Sequence, residues 1–381
     1  MKRIPIFLLS LLIVCTACEN RDDNSINATI EKRIAVKGEL IYKSINIFDG
    51  KPRALDFQSF LTDSLMRKAS PNVAPEATRQ RIIEAANALG LKEAKGLGMS
   101  SEVISDQLAR NRFFLATPHV GYYKLIGTKE MSLDEFAQLA PKNAICTMAG
   151  YFNPASVATE LRKAQLFADV LDKAVEYFGV DLFAKFDSQT PLIFVLGFTD
   201  IKGNRMAFPL NIYGSCRLNM PPAELLAALD CTNKDLKQDD NGTFTLTSTS
   251  GLTITVSVDG DGSKIELAFG DAIDFSEKLT TDATFKEYAQ ILSSKRGANF
   301  AFFNATEFRR FYRDMPGMPR DFMGMTPSQL AVSCLVEDGF FYETIAAEDV
   351  ILSDAYTNAI ADIVVLLSPL IRAAIEEVAA E

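Results

Sequence analysis

Apolar and polar positions alternate with a period of two over residues 38–48, 97–104, 111–117 and 121–126, and again over 243–249, 252–258 and 264–269. This spacing predicts strands that each turn one face to a core, grouped as two antiparallel meanders. Asn241-Gly242 and Asp259-Gly260-Asp261-Gly262 supply the turn chemistry of the second group. Residues 192–199 and 205–213 read as a hairpin around Lys202-Gly203-Asn204. Apolar residues spaced by three and four over 55–66 and 76–89 predict helices, the second ending at Gly90, and the Pro221-Pro222 pair opens another over 222–229.

A longer-range regularity links distant segments. Glu135-Phe136-Ala137-Gln138 is echoed by Glu287-Tyr288-Ala289-Gln290, and each is followed by a polar break and a strand. The strands end in Tyr151-Phe152-Asn153-Pro154 and Phe302-Phe303-Asn304-Ala305, which makes a repeat with a period of roughly 151 residues. Asn153 and Asn304 fall where a side-chain oxygen can accept from the first amides of a helix, so both are read as structural caps. The expected fold is α+β, with two similar halves, each an antiparallel meander sheet with a helix layer. The divisions read as a signal over 1–17, a tether over 18–37, and halves over 38–190 and 191–381. The second half closes with a kinked apolar helix over 356–380.

The chain has 381 residues, 48% hydrophobic and 23% charged, enough for a large core. Its net charge of −10 argues against a role in nucleic-acid binding, which draws on phosphate neutralisation. One histidine leaves little room for imidazole-based metal or acid/base chemistry. There is no Gly-x-Ser-x-Gly, Ser-x-x-Lys, His-Glu-x-x-His or phosphate-loop signature, and neither a cofactor nor a metal is expected. A carboxylate pair joined only in space stays open, with a glycan-acting hydrolase as the alternative function.

The first residues carry an address. Lys2 and Arg3 precede an apolar run over 4–14, too short for a bilayer span but suited to a signal. Cys15-Thr16-Ala17-Cys18 follows, and a small residue directly before a cysteine resembles the lipobox of bacterial lipoproteins; Cys15 stands where that family usually has Leu. The resemblance implies cleavage after Ala17, acylation of Cys18 and membrane attachment through that anchor, with the outer membrane as the expected location. Taken with the repeat and the apolar C-terminal segment, the mature chain looks like bacterial lipoproteins of two-repeat α+β build, a resemblance that carries architecture and no catalytic residues. Cys146, Cys216, Cys231 and Cys334 remain beyond the signal; Cys216–Cys231 is the favoured disulfide, and four free buried thiols the alternative.

The candidate binding segment is 308–325. Helical spacing puts Phe308 and Phe311 on one side and Arg309, Arg310 and Arg313 on the other, and the loop beyond holds Met315, Met318, Phe322, Met323 and Met325. Methionines re-pack readily, so the loop suits an apolar ligand or a variable envelope protein, with the arginines available to an anionic head group. His119 and the acidic run at Asp259-Gly260-Asp261 are read as turn residues, and Asp235, Asp239, Asp240 and Asn241 as an acidic cluster before a strand.

Overall fold

The computed structural model describes residues 24–47, 84, 88, 90, 93–105, 108–198, 210–228, 236–247, 252–314 and 328–347. These form a mixed helix and strand fold dominated by one antiparallel sheet. Thirteen strands run in the order β8, β9, β10, β11, β7, β6, β5, β13, β14, β15, β3, β2, β1. The middle of the chain builds one side of the sheet: β5 (Cys146–Gly150), β6 (Leu192–Phe198), β7 (Leu210–Leu218), β8 (Leu236–Gln238), β9 (Phe244–Thr247), β10 (Thr253–Asp259) and β11 (Gly262–Phe269). The flanking segments build the other: β1 (Glu39–Ile47), β2 (Gly96–Ser105) and β3 (Leu108–Ala116) join β13 (Asn299–Phe303), β14 (Gln329–Val336) and β15 (Gly339–Ala347). A separate two-stranded ribbon pairs β4 (Met131–Ser132) with β12 (Arg296–Gly297).

Eight helices accompany the sheet among the described residues: α1 (Asn24–Arg33), α2 (Leu133–Leu139), α3 (Pro154–Leu161), α4 (Gln165–Phe178), α5 (Leu182–Lys185), α6 (Pro222–Ala228), α7 (Ala283–Ile291) and α8 (Ala305–Asp314). Because side chains alternate along a strand, the register sorts the sheet into two faces. On the first face Ala149 lies opposite Phe300. Phe136 of α2 stacks 5.7 Å from Phe300, and Phe285 of α7 meets Phe302 edge-on at 5.5 Å. Over the second face Phe308 of α8 packs on Phe303, and Tyr123, in a 3₁₀ turn at Gly121–Leu125, packs on Phe340.

Several expectations change here. The segment 18–37 is not a free tether throughout: α1 places Ile30, with Ile34 just beyond its end, in the core at 0% exposure, and Ile26 packs against them, one helical turn apart each. That approach requires Gly98, since a Cβ there would stand 2.1 Å from Ile30 Cγ2. Gly98→Ala should cost about 1–3 kcal/mol in denaturant unfolding, because helix or sheet must yield. Residues 121–125 form the 3₁₀ turn rather than a strand: Gly121 adopts φ +61 and Tyr123 turns inward. Across the expected division at 190/191, β6 pairs with β5, and the β3 meander pairs with β15 instead of with its own half. The expected helix over 55–66 and the C-terminal helix over 356–380 lie outside the described residues, as do all of 76–89 except Glu84 and Ala88, both helical.

Candidate functional site

The two sheet faces differ in charge. Every charged residue of the eleven strands between the edge strands β1 and β8 lies on the first face: Glu102, Arg110, Arg112, Glu343, Arg217, Lys264, Glu266 and Asp259. The second face of those strands carries none. At its centre are Cys146 and Met148 of β5, Asn299, Ala301 and Phe303 of β13, and Phe194 of β6. All are half-exposed or, for Phe194, exposed at 37%, while their first-face neighbours Thr147, Ala149, Phe300 and Phe302 are buried. Over β7 and β9–β11 the second face is covered, Leu218 and Val256 packing with Leu225 and Leu226 of α6 and Leu182 of α5, so the exposed surface without charge is its centre at β5, β6 and β13.

Polar groups on the second face are neutral. Ser101 donates to Asn111 Oδ1 at 2.7 Å, and Asn111 Nδ2 donates to Thr344 Oγ1 at 3.3 Å, forming a buried row across β2, β3 and β15. A second row runs Asn299, Ser333, Tyr342 across β13, β14 and β15. Gly150 stands opposite Asn299, and a Cβ on it would fall 2.2 Å from Asn299 Cβ, so the glycine makes room for the amide. Burial pushes the Cys146 thiol up to about 11 and the Tyr342 hydroxyl up to about 12, the latter reinforced by nearby Cys146, and burial raises Cys216 too. None of the three ionises near neutral pH, and thiols so raised are poor nucleophiles.

The charges of the first face are tied to one another. Glu102 Oε1 lies 2.8 Å from Arg110 Nη1 and 3.0 Å from Arg112 Nη1, while its Oε2 accepts from the amides of Lys37 at 2.6 Å and Gly38 at 2.7 Å. Arg110 Nη2 donates to the carbonyl of Ile291, Arg112 donates to the carbonyl of Ala35 and to Ser293 Oγ, and Ser293 N donates to Glu343 Oε1 at 3.0 Å. Arg110 Nε sits 3.0 Å from Glu343 Oε1, a charge contact out of line for a hydrogen bond, and Glu343 Oε2 makes none. Burial raises the Glu102 carboxyl, but the Gly38 and Lys37 amides and the two arginines outweigh it and leave the value below the ordinary range. The cluster pins the ends of α1 and α7 to the sheet. A hydrolytic pair needs an acid held above its ordinary range in an open cleft, and here Glu102 is held below it with both carboxylates sealed.

Of the residues singled out from sequence, Asn153 accepts from Ser156 N at 3.1 Å with Pro154 at the first helical position, and Asn304 accepts from Thr306 N and Glu307 N. Phe308 rests half-buried 5.6 Å from Phe303, at the border of the open face. Arg309 is exposed in α8. Arg310, Phe311 and Arg313 lie in α8. Cys18, Met315, Met318, Phe322, Met323 and Met325 lie outside the described residues. Cys216 is a free thiol, so the favoured Cys216–Cys231 disulfide is not formed; Cys146 and Cys334 are free as well. His119 Nε2 is 2.7 Å from the Val336 carbonyl and 3.3 Å from that of Gly339, bracing the turn between β14 and β15. Asp239 accepts from the amides of Asn241 and Thr243, and Asp259 and Asp261 bind Arg217, so these carboxylates shape turns. No group of three or more His, Cys, Asp or Glu among the described residues is placed to hold a metal ion.

No protein family, curated protein or solved structure matches the chain. Among the described residues no helix is long and apolar enough to cross a membrane.

Proposed function

We propose that this is a lipid-anchored protein of the cell envelope, acylated at Cys18 and held at the outer membrane, whose charge-free sheet face binds a hydrophobic envelope molecule. The observation that carries the binding reading is the absence of charge at the centre of the second face: Cys146, Met148, Phe194, Asn299, Ala301 and Phe303 are partly exposed, yet none is charged. A surface meant for water gains nothing from that arrangement, whereas an apolar ligand would be penalised by any charge it left unsolvated. The two-half reading belongs with it. Stepping outward from the β5·β13 pair, the sheet meets β6, β7, β11, β10, β9 and then β8 on one side and β14, β15, β3, β2, β1 on the other, an order that, β8 apart, supports duplication of one α+β unit with exchanged meanders.

Native mass spectrometry of residues 19–381, before and after incubation with an extract of the cell envelope, tests the reading. A discrete small adduct on the wild type that disappears in Ala301→Asp supports it. A protein co-purifying without any small adduct assigns the face to a protein partner instead, and an adduct indifferent to Ala301→Asp places the ligand elsewhere.

A further inference from the structure

Asn27-Ala28-Thr29, Asn241-Gly242-Thr243 and Asn304-Ala305-Thr306 each carry the Asn-x-Thr signature that an N-linked glycan transferase reads in an exported protein. The fold separates them. Recognition needs the Asn amide and the hydroxyl two positions on to be presented together, and on a helix residues two apart do not share a side. Asn27 and Thr29 both lie within α1, whose Ile30 is locked in the core. Asn304 is 4% exposed, and its side-chain oxygen already accepts from the amides of Thr306 and Glu307. Asn241 is exposed at the turn that joins β8 to β9, and Thr243 beside it is half-exposed. Asp239 Oδ1 accepts from the backbone amides of Asn241 at 2.9 Å and Thr243 at 2.8 Å, so this turn is held through its main chain. Among the described residues neither the Asn241 carboxamide nor the Thr243 hydroxyl makes a hydrogen bond, which leaves both side chains available to an enzyme. Gly242 between them takes φ +79, and nothing lies within 4 Å of where its Cβ would stand, so the turn projects clear of the body.

Resting on the export that the signal directs, we infer that Asn241 is the acceptor of an N-linked glycan. The donor is a lipid-linked oligosaccharyl diphosphate. Asn241 Nδ2 forms a bond to the anomeric carbon, the bond from that carbon to the diphosphate oxygen breaks with its electron pair leaving on the lipid diphosphate, and the amide loses one proton to a base of the transferase. The position has a structural consequence. β8 ends the sheet with a strand over Leu236–Gln238, and a bulky hydrated glycan at its turn hinders a second chain from pairing along that edge.

The test is peptide mass spectrometry on the chain isolated from the envelope of the cells that make it. Trypsin releases 238–264, in which Asn241 is the single asparagine. That peptide should carry an oligosaccharide mass, while the peptides holding Asn27 and Asn304 stay bare. Asn241→Gln and Thr243→Ala should abolish the added mass, and Thr243→Ser, which keeps the hydroxyl, should retain it. These substitutions sit on an open turn, so each variant should fold as wild type does. A bare 238–264 peptide from a chain that begins at Cys18 overturns the inference and leaves the envelope reading standing. An added mass that persists in Asn241→Gln, which places the sugar on a Ser or Thr hydroxyl, or a sugar on the Asn27 or Asn304 peptide instead, does the same. A bare peptide from a chain that still carries residues 1–17 overturns both.

Discussion

Glu102→Ala will lower the unfolding free energy by about 3–5 kcal/mol, the range for removing one member of a buried charge cluster and stranding the rest. Glu102 and Glu343 are at most 1% exposed and Arg112 is 7% exposed, so water cannot replace the missing carboxylate. The amides of Lys37 and Gly38 lose their acceptor at the same time, which loosens the link between α1 and the sheet. Glu102→Gln, which keeps one acceptor oxygen and the side-chain shape, should lose less. Acid tests the same cluster. The folded Glu102 value lies below its ordinary 4.5, so its stabilisation is complete above that pH and is lost as the pH falls through the folded value. Glu160, held down to about 2 by Lys124 and Lys163, and Asp187, held low by Thr190, the Gln189 amide and Arg217 against the opposing effect of burial, act in the same direction. Melting temperatures of wild type should fall from pH 5 toward pH 2, and the gap to Glu102→Ala should narrow over that interval. A gap independent of pH would mean that the carboxylate charge contributes nothing.

Chains covering 18–190 and 191–381, made separately, should give no cooperative melting transition, and neither should a chain ending after Asp314. The first cut separates β5 from β6, and the second removes β14 and β15, leaving β3 and β13 with open edges. A long exposed apolar edge aggregates rather than folds. Limited proteolysis and calorimetry decide the point: a resistant core with its own transition from 18–190 would show that the halves are autonomous. The strand pairing predicts the opposite, since each side of the sheet holds strands from both halves of the chain.

Much of the fold was legible in local pattern. The alternation over 243–269 gave β9 to β11, Asp259-Gly260-Asp261-Gly262 gave their turn with Gly260 at φ +61, and the repeated Asn marked both helix starts. Partner choice was not legible, because alternation says which side of a strand is apolar and nothing about which strand lies beside it. Thus Asn111 and Thr344, 233 positions apart, could not be joined from the sequence. Residues 121–126 misled because Gly121, Tyr122 and Tyr123 suit a strand by composition, while the buried contact of Tyr123 with Phe340 selects a turn. The Glu102 cluster had a visible sign in Arg110-Asn111-Arg112, two cations on the side of a strand that also presents Phe114. The neutral face became visible only when the register aligned eleven such strands.

The pairing of β3 with β15 also sets a clock. Each chain makes β3 early and β15 near its end, so the first meander waits for more than two hundred residues before its neighbour exists. Contacts of such separation close slowly. During that wait the β3 edge is held open in an emerging chain, and whatever shields it then is as much a requirement for reaching this structure as any contact within it.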